Sequence, residues 1–219
     1  MSEEIETGFD QPLLFTVAAH HVRGRLVRLG PVLQEILAAH AYPPVAEKLL
    51  AESLVLTALL GSTLKEADSQ LTLQAQTGGG PIELLVCDWK DGALRGYLQF
   101  DPERLAEVGP HPSLFALFGG GFLAITFDQA ATGERYQGIV PLEGEGIAAA
   151  AEHYFEQSEQ IPSLIRVAAR HDPGEGCVAG GLLLQHLPEG EVGRDRLHVR
   201  QDHPEWEHAR TIAVTLSDA

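Results

Sequence analysis

The chain has 219 residues, 44% of them hydrophobic, which suits one large domain with a sizeable core. Its 31 acidic residues outnumber 15 basic ones, so the formal net charge is −16. This charge argues against nucleic acid and anionic membranes as partners, because both are bound through clustered Lys and Arg. The start, Met-Ser-Glu-Glu, has no basic or apolar targeting segment, which predicts a cytoplasmic protein.

The first third of the chain predicts two strands and a buried helix. Residues 13–17 and 22–29 have the apolar alternation of strands. Pro31 favours a helix start, and Pro43-Pro44 ends that helix and begins another. Residues 45–64 are apolar nearly all round, which indicates a central core helix buried on most sides. The charges in this stretch leave an uncharged part too short to span a bilayer.

The middle of the chain predicts antiparallel hairpins. Alternation from Leu71, a strand at 82–88, a turn at Asp91-Gly92 and a strand at 94–100 form a meander. Three glycines at 119–121 do not form a phosphate loop, because a strand follows them where a helix would be needed. That strand, 122–127, pairs with 135–140 in a second hairpin.

Residues 135–162 combine a strand, a turn and a helix. Pro141 ends the strand, and an apolar stripe at helical spacing runs from Ile147 to Phe155. Pro162 ends the helix. Two more strands are predicted at 163–169 and 178–186. Hairpins with interspersed helices, in place of βαβ units, predict an α+β fold.

The chain changes character after residue 188. Residues 189–203 are charged and contain glycine, which is typical of a linker. Pro204 then favours a new helix, with acidic residues in its first turn. An apolar stripe along it contains Trp206, Ala209, Ile212, Ala213 and Leu216. An amphipathic helix of this kind must dock on an apolar surface or expose one.

Three stretches carry a family resemblance: RYQGIVPLEGEGIAAAAEHYFEQSEQIP at 135–162, GGLLLQHLP at 180–188, and LRGYLQFD at 94–101. In this order they resemble the 33-kilodalton heat-shock chaperonin family of bacterial redox-regulated holdases. The resemblance implies an ATP-independent chaperone that binds unfolding client proteins, and a homodimer. It also implies a core domain at 1–188 followed by a linker at 189–219.

The resembled family carries its redox switch in a C-terminal module, where Cys-x-Cys and Cys-x-x-Cys bind zinc as four thiolates. This chain has neither motif, so we assign no metal ligand, catalytic residue or cofactor here, and we expect zinc only in that further module. The chain is either a shortened form or a naturally short relative. The resemblance points to Trp206, Ile212 and Leu216 as client-binding residues, whereas the alternative is that this helix only packs on the core.

The two cysteines, Cys87 and Cys177, are far apart in sequence and are interpreted as buried thiols. The alternative function is a cysteine-dependent enzyme that uses Cys177 with a nearby histidine, His171 or His186. We do not expect an enzyme, because a reactive thiolate needs a nearby cation or a helix start. His20-His21 is interpreted as a surface turn, since adjacent side chains on a strand face opposite ways. The histidines at 198, 203 and 208 are interpreted as part of the solvated linker.

Overall fold

A computed structural model describes residues 8–144, 146–172, 176–187 and 204–215. A 3₁₀ turn, Ala18–His20, joins the first two strands, and a π-helical turn, Phe155–Glu159, extends the fifth helix. The described strands are β1 (Leu13–Val17), β2 (Val22–Leu29), β3 (Gln70–Thr77), β4 (Ile82–Lys90), β5 (Ala93–Phe100), β6 (Gly121–Asp128), β7 (Arg135–Pro141), β8 (Ser163–Asp172) and β9 (Gly176–His186). The described helices are α1 (Pro31–Ala38), α2 (Pro44–Gly61), α3 (Pro102–Ala106), α4 (Leu114–Phe118), α5 (Ile147–Tyr154) and α6 (Pro204–Val214).

The strands form two antiparallel sheets. One sheet has the order β1-β2-β9-β8, and the other has the order β5-β4-β3-β6-β7. The first hairpin of the chain therefore pairs with the last one, while the five strands between them form the second sheet. The predicted meander of β3, β4 and β5 is confirmed, and β3 also pairs with β6. The predicted α+β fold is confirmed.

Helix α2 lies between the two sheets and forms the centre of the core. It packs against β2, β8 and β9 on one side and against β3, β4 and β5 on the other. Two hydroxyls inside this apolar helix, on Ser53 and Thr57, each donate a 2.7 Å hydrogen bond to the carbonyl four residues earlier. These bonds satisfy both groups without an external partner. The predicted central helix is confirmed, although it ends at Gly61 and not at residue 64.

Within the residues that the structure describes, no helix combines the length and the apolar character that a bilayer crossing requires.

The turns follow the local chemistry of the sequence. Asp91 and Gly92, between β4 and β5, both have positive φ values, 50° and 83°, as the tight hairpin predicted there requires. The two short helices α3 and α4 were not predicted, because five residues are too few for a periodic pattern. Their capping residues are nevertheless in the sequence: the side chain of Asp101 accepts hydrogen bonds from the backbone of α3, and that of Ser113 accepts one from α4.

Helix α5 packs against β7 and β8 through a close approach to glycine. A Cβ atom added to Gly138 would lie 2.0 Å from Cε2 of Tyr154, so the aromatic ring occupies the space above the strand. The ring of Tyr154 also stacks on Phe127 of β6, with centroids 6.2 Å apart. The absence of a side chain at residue 138 therefore sets the distance between α5 and the five-stranded sheet.

We expect Gly138→Ala to lower the free energy of unfolding by about 1–3 kcal/mol, because the new methyl group overpacks the space that Tyr154 fills. Urea unfolding followed by circular dichroism measures the change. Gly109→Ala is the matched control, since nothing lies within 4 Å of a Cβ atom built there. Equal midpoints for the two variants would contradict the assigned packing.

Candidate functional site

The two sheets differ in the chemistry of their outer faces, which point away from α2. On the five-stranded sheet this face carries polar pairs. Thr72 donates to Asp88 at 2.5 Å, Arg95 pairs with Asp88 at 2.8 Å, and Gln137 on β7 donates to a threonine of β6 at 2.9 Å. Such pairs are typical of a solvated sheet surface.

Apart from Arg28, Arg166 and Arg170, the outer face of the four-stranded sheet is mainly apolar. A Cβ atom added to Gly181 would lie 2.5 Å from Val55 of α2, so the row containing Gly181 faces the helix. Residues one position away point to the other side, because successive side chains in a strand alternate. We call these residues the outer apolar face: Leu13, Phe15, Val17, Val22, Leu26, Leu164, Ala168, Val178, Leu182 and Leu184.

Helix α6 covers one end of the outer apolar face. Trp206 is only 2% exposed, and Ala213, two turns further along the helix, is also buried. Both belong to one cluster with residues of three different strands: Val22, Leu164, Leu182 and Leu184. Ala209 packs against the same cluster. The spacing of 206, 209 and 213 places these three residues on one side of the helix.

Histidines surround the contact between α6 and the sheet. The ring of His186, on β9, stacks on Trp206 with centroids 5.7 Å apart. His20 lies 5.4 Å from His208 between ring centroids, and His21 lies 3.9 Å from the carboxylate of Glu205. The prediction that His20-His21 forms a surface turn is therefore only partly right, because α6 packs against this turn.

The predicted client-binding residues do not share one environment. Trp206 is buried beneath α6, whereas Ile212 is 54% exposed on the solvent side of the same helix. Leu216 lies outside the described residues. The predicted stripe is therefore divided, since six residues along a helix correspond to a rotation of about 240° between Trp206 and Ile212.

The surface on which α6 packs was not among the features predicted from the sequence. Its strands were predicted, but their pairing across the sheet was not. One signal was present: the Leu182-Leu183-Leu184 run is apolar on both sides of its strand, which indicates a strand covered on both faces. Leu183 faces α2, and its two neighbours face α6.

Among the described residues, the other end of the outer apolar face is partly exposed. Leu13 is 59% exposed and Leu26 is 44% exposed, and these two residues are direct partners across β1 and β2. A groove of about 360 Å³ continues from Leu26 across β9 to β8. Leu182 lines this groove and also belongs to the Trp206 cluster, so the open and covered parts form one continuous surface.

A carboxylate of α5 lies near charged groups of α6 and β8. The carboxylate of Glu152 accepts a hydrogen bond from the backbone N–H of Ile165 at 2.5 Å. Burial raises the pKa of Glu152, while the nearby cations Arg210 of α6 and Arg166 of β8 act in the opposite direction. A partly buried carboxylate thus faces α6 from the core.

A family model described as Hsp33 protein matches residues 10–219. The chain belongs to the Hsp33 family. A relative from Caulobacter vibrioides (strain NA1000 / CB15N), named 33 kDa chaperonin, is 41% identical over 204 residues, which are 90% of this chain and 65% of the relative. A relative of the same name from Yersinia pestis (strain Pestoides F) is 40% identical over 207 residues, 94% and 66% of the two chains. The chain thus spans about two thirds of the length of these curated relatives.

The fold is also that of a solved family structure. The crystal structure of the 33 kDa chaperonin (heat shock protein 33 homolog) from Thermotoga maritima matches with a TM-score of 0.67 at 25% sequence identity. The match covers 94% of this chain and 84% of that one. The family resemblance inferred from the three sequence stretches is therefore confirmed.

The two cysteines of this Hsp33 family chain are buried, and both have raised pKa values, which disfavours the thiolate form. Burial raises the pKa of Cys87, on β4, well above its usual range. The pKa of Cys177 rises to about 12, because the thiol is buried and lies beside the Glu47 carboxylate, to which it donates a hydrogen bond. His171, opposite Cys177 in the sheet, lies 3.6 Å from Glu47. His186 is nine residues along β9, roughly 30 Å away.

The two cysteines do not provide a zinc site of the four-thiolate kind that the family resemblance implies for a further module. Cys87 and Cys177 lie on different sheets, and both thiols are protonated at neutral pH, whereas zinc is bound by thiolates. Across the described ranges, no three His, Cys, Asp or Glu side chains gather as metal ligands. We therefore assign no zinc ligand to any described residue.

We expect Cys177 to react with iodoacetamide at least 100-fold more slowly in the folded Cys87→Ala chain than in the same chain unfolded in urea, because only the thiolate reacts. Glu47→Gln in that background should accelerate the folded-state reaction, since it removes the negative charge that raises the pKa of Cys177. Glu83→Gln, at an exposed carboxylate on the other sheet, is the control. Fast alkylation of the folded chain at neutral pH would restore the cysteine-enzyme hypothesis.

Proposed function

We propose that this chain is the core of an ATP-independent chaperone, a holdase, that binds unfolding proteins on the outer apolar face and uses α6 as a removable cover. The observation that carries the proposal is the contrast between the two sheets: one outer face has paired polar groups, and the other is mainly apolar and only partly covered. Exposed apolar surface of this extent is typical of a site that binds other proteins. The chaperonin names of the relatives support the same function.

The energetics of α6 support its role as a cover. Burial of a side chain the size of Trp206 contributes roughly 4–6 kcal/mol, from ~150–250 Å² at ~25 cal/mol per Å². Helix α6 has only 11 residues. An isolated helix of this length is marginal in water. The docked state thus depends on Trp206 and a few smaller contacts, and α6 can open while the core stays folded.

The outer apolar face and the net charge also indicate which partners the chain binds. The exposed part of the outer apolar face can bind the apolar segments of unfolded polypeptides. A net charge of −16 keeps a chain with such a surface soluble. Nucleic acid and anionic membranes are disfavoured by this charge. For the full-length protein we propose the properties that the family resemblance implies: a cytoplasmic homodimer under redox control, with zinc in a thiolate module.

The alternative, an enzyme that uses Cys177, has weak support. Its thiol is protonated at neutral pH, and the nearest acceptor is a carboxylate, which disfavours the thiolate. His171 is placed beside that carboxylate, and the structure does not bring His186 near either group. A binding function without a catalytic step accounts for more of the observed arrangement.

We expect Trp206→Ala to release α6, because the helix loses its largest buried contact. The released chain should bind more of an apolar dye and should suppress aggregation of a urea-unfolded client at a lower molar ratio, as followed by light scattering. Val214→Ala is the control, since Val214 lies on the exposed side of the same helix. If Trp206→Ala changes neither dye binding nor scattering, α6 is not a cover.

We expect Leu26→Asp to weaken aggregation suppression by about tenfold in the required chain concentration, because a carboxylate in the outer apolar face must be desolvated when a client binds. Leu26 is already 44% exposed, so the fold should tolerate the change. Ile139→Asp is the matched control: Ile139 is 56% exposed on the outer face of the other sheet. Equal losses for both variants would show that this face is not the binding surface.

A further inference from the structure

The described charged side chains on the outer face of the four-stranded sheet include three arginines close together. Among the described side chains of this face, those that are always charged are three arginines: Arg28 on β2, and Arg166 and Arg170 on β8. All three are exposed, and all three line the groove beside Leu26. The chain as a whole has 31 acidic and 15 basic residues, so this local excess of cations runs against the composition.

The pairing register places the arginines around a floor of small residues. Arg28 lies opposite Gly180, which lies opposite Ala168, and these three residues form one row across the sheet. Because Gly180 and Ala168 have little or no side chain, they form a shallow depression above β9 and β8 beside Arg28. The next row contains Val178 and Arg170, and the row on the other side contains Leu26, Leu182 and Arg166.

The spacing along β8 matches an extended polypeptide. Arg166 and Arg170 are four residues apart on one side of the strand, a distance of about 13 Å at ~3.3 Å per residue. Ala168 lies midway between them on the same side. In an extended segment that runs along β8, side chains at positions i, i+2 and i+4 would therefore meet an arginine, the small-residue floor and the second arginine.

We infer that the groove selects extended client segments in which an apolar residue lies between two acidic ones, at positions i, i+2 and i+4. The inference rests on the proposed function and adds the substrate class: the apolar side chain enters the floor at Ala168 and Gly180, and the carboxylates bind Arg166 and Arg170. Arg28 borders the same floor from the opposite strand and adds to the positive field.

The existing contacts of the arginines are compatible with this role. Arg28 lies over the ring of Phe9, 3.9 Å from its centroid, and Glu152 lies on the α5 side of Arg166. A guanidinium has five N–H donors in a planar fork and can bind several acceptors at once, so a client carboxylate can join the contacts that these arginines already make. The net charge of −16 repels an acidic segment at long range, but screening in physiological salt limits that repulsion to about 8 Å.

The groove is also joined to the covered part of the face. Leu182 lies at the boundary, where it lines the groove and packs in the Trp206 cluster. A segment bound in the groove can therefore extend its apolar contacts onto Leu184 and Leu164 when α6 opens. The arginines of the groove select the segment, and the part of the face that α6 uncovers extends its apolar contact with the sheet.

The test measures binding of labelled peptides to the whole chain by fluorescence polarisation. One peptide carries Asp, Leu and Asp at alternate positions in a polar background, and the second carries Lys, Leu and Lys. We expect the acidic peptide to bind about tenfold more tightly than the basic one at low salt, although an average surface of this chain would favour the basic peptide. We expect high salt to reduce the difference.

Variants assign the effect to the groove. Arg166→Glu with Arg170→Glu should reverse the preference, so that the basic peptide binds better. The matched control is Arg95→Glu with Arg135→Glu, two exposed arginines on the five-stranded sheet, which should leave the preference unchanged. If circular dichroism shows that the first pair is unfolded, Arg166→Gln with Arg170→Gln replaces it and should abolish the preference without reversing it.

Equal affinities of the two peptides for the unsubstituted chain would overturn the inference, and so would an equal loss in the groove variants and the control. The failure of the proposed function is separate. A chain that prefers the acidic peptide but does not suppress aggregation would contradict only the holdase proposal. A chain that suppresses aggregation without any peptide preference would contradict only the selection by arginines.

Discussion

The fold depends on burying α2 between two sheets. This helix has apolar side chains on nearly all sides, so a single sheet could cover only part of it. The first and last hairpins of the chain cover one side, and the five middle strands cover the other. Because both sheets turn their inner faces to α2, the chemistry of each outer face is independent of the main core. That independence is what allows one outer face to be mainly polar and the other mainly apolar.

The two outer faces show how the same architecture gives different surfaces. The five-stranded sheet satisfies its outer polar side chains with cross-strand pairs, such as Thr72 with Asp88. The four-stranded sheet places leucine and valine at the equivalent positions and leaves their burial to α6. Helix α6 is short and has one large buried side chain, Trp206, so it covers the outer face less stably than α2 covers the inner faces. Under the proposed function, this difference makes the binding surface available without loss of the fold.

The family assignment and the structure also bear on the cysteines. Two buried, protonated thiols on separate sheets stabilise the core as small apolar groups. The acidic composition and the arginine-lined groove, by contrast, affect interactions at the surface. The net negative charge repels acidic segments at long range, whereas the arginines of the groove attract carboxylates at short range.

The sequence by itself determined the elements with strong local signals. Alternation predicted the strands, the all-apolar run at 45–64 predicted the central helix, and Asp91-Gly92 predicted a hairpin turn. These patterns depend on neighbours within a few residues, so one sequence suffices to find them. Three stretches of residues also identified the family.

Only the tertiary structure decided which surfaces meet. The pairing of β2 with β9 brings residues about 160 positions apart into one face, and no local pattern records that register. The same pairing divides the α6 stripe, because it gives Trp206 a partner surface and leaves Ile212 in solvent. It also gathers Arg28, Arg166 and Arg170 around one groove. Long-range contacts depend on how complete faces fit together, which is a property of the folded chain and not of any segment within it.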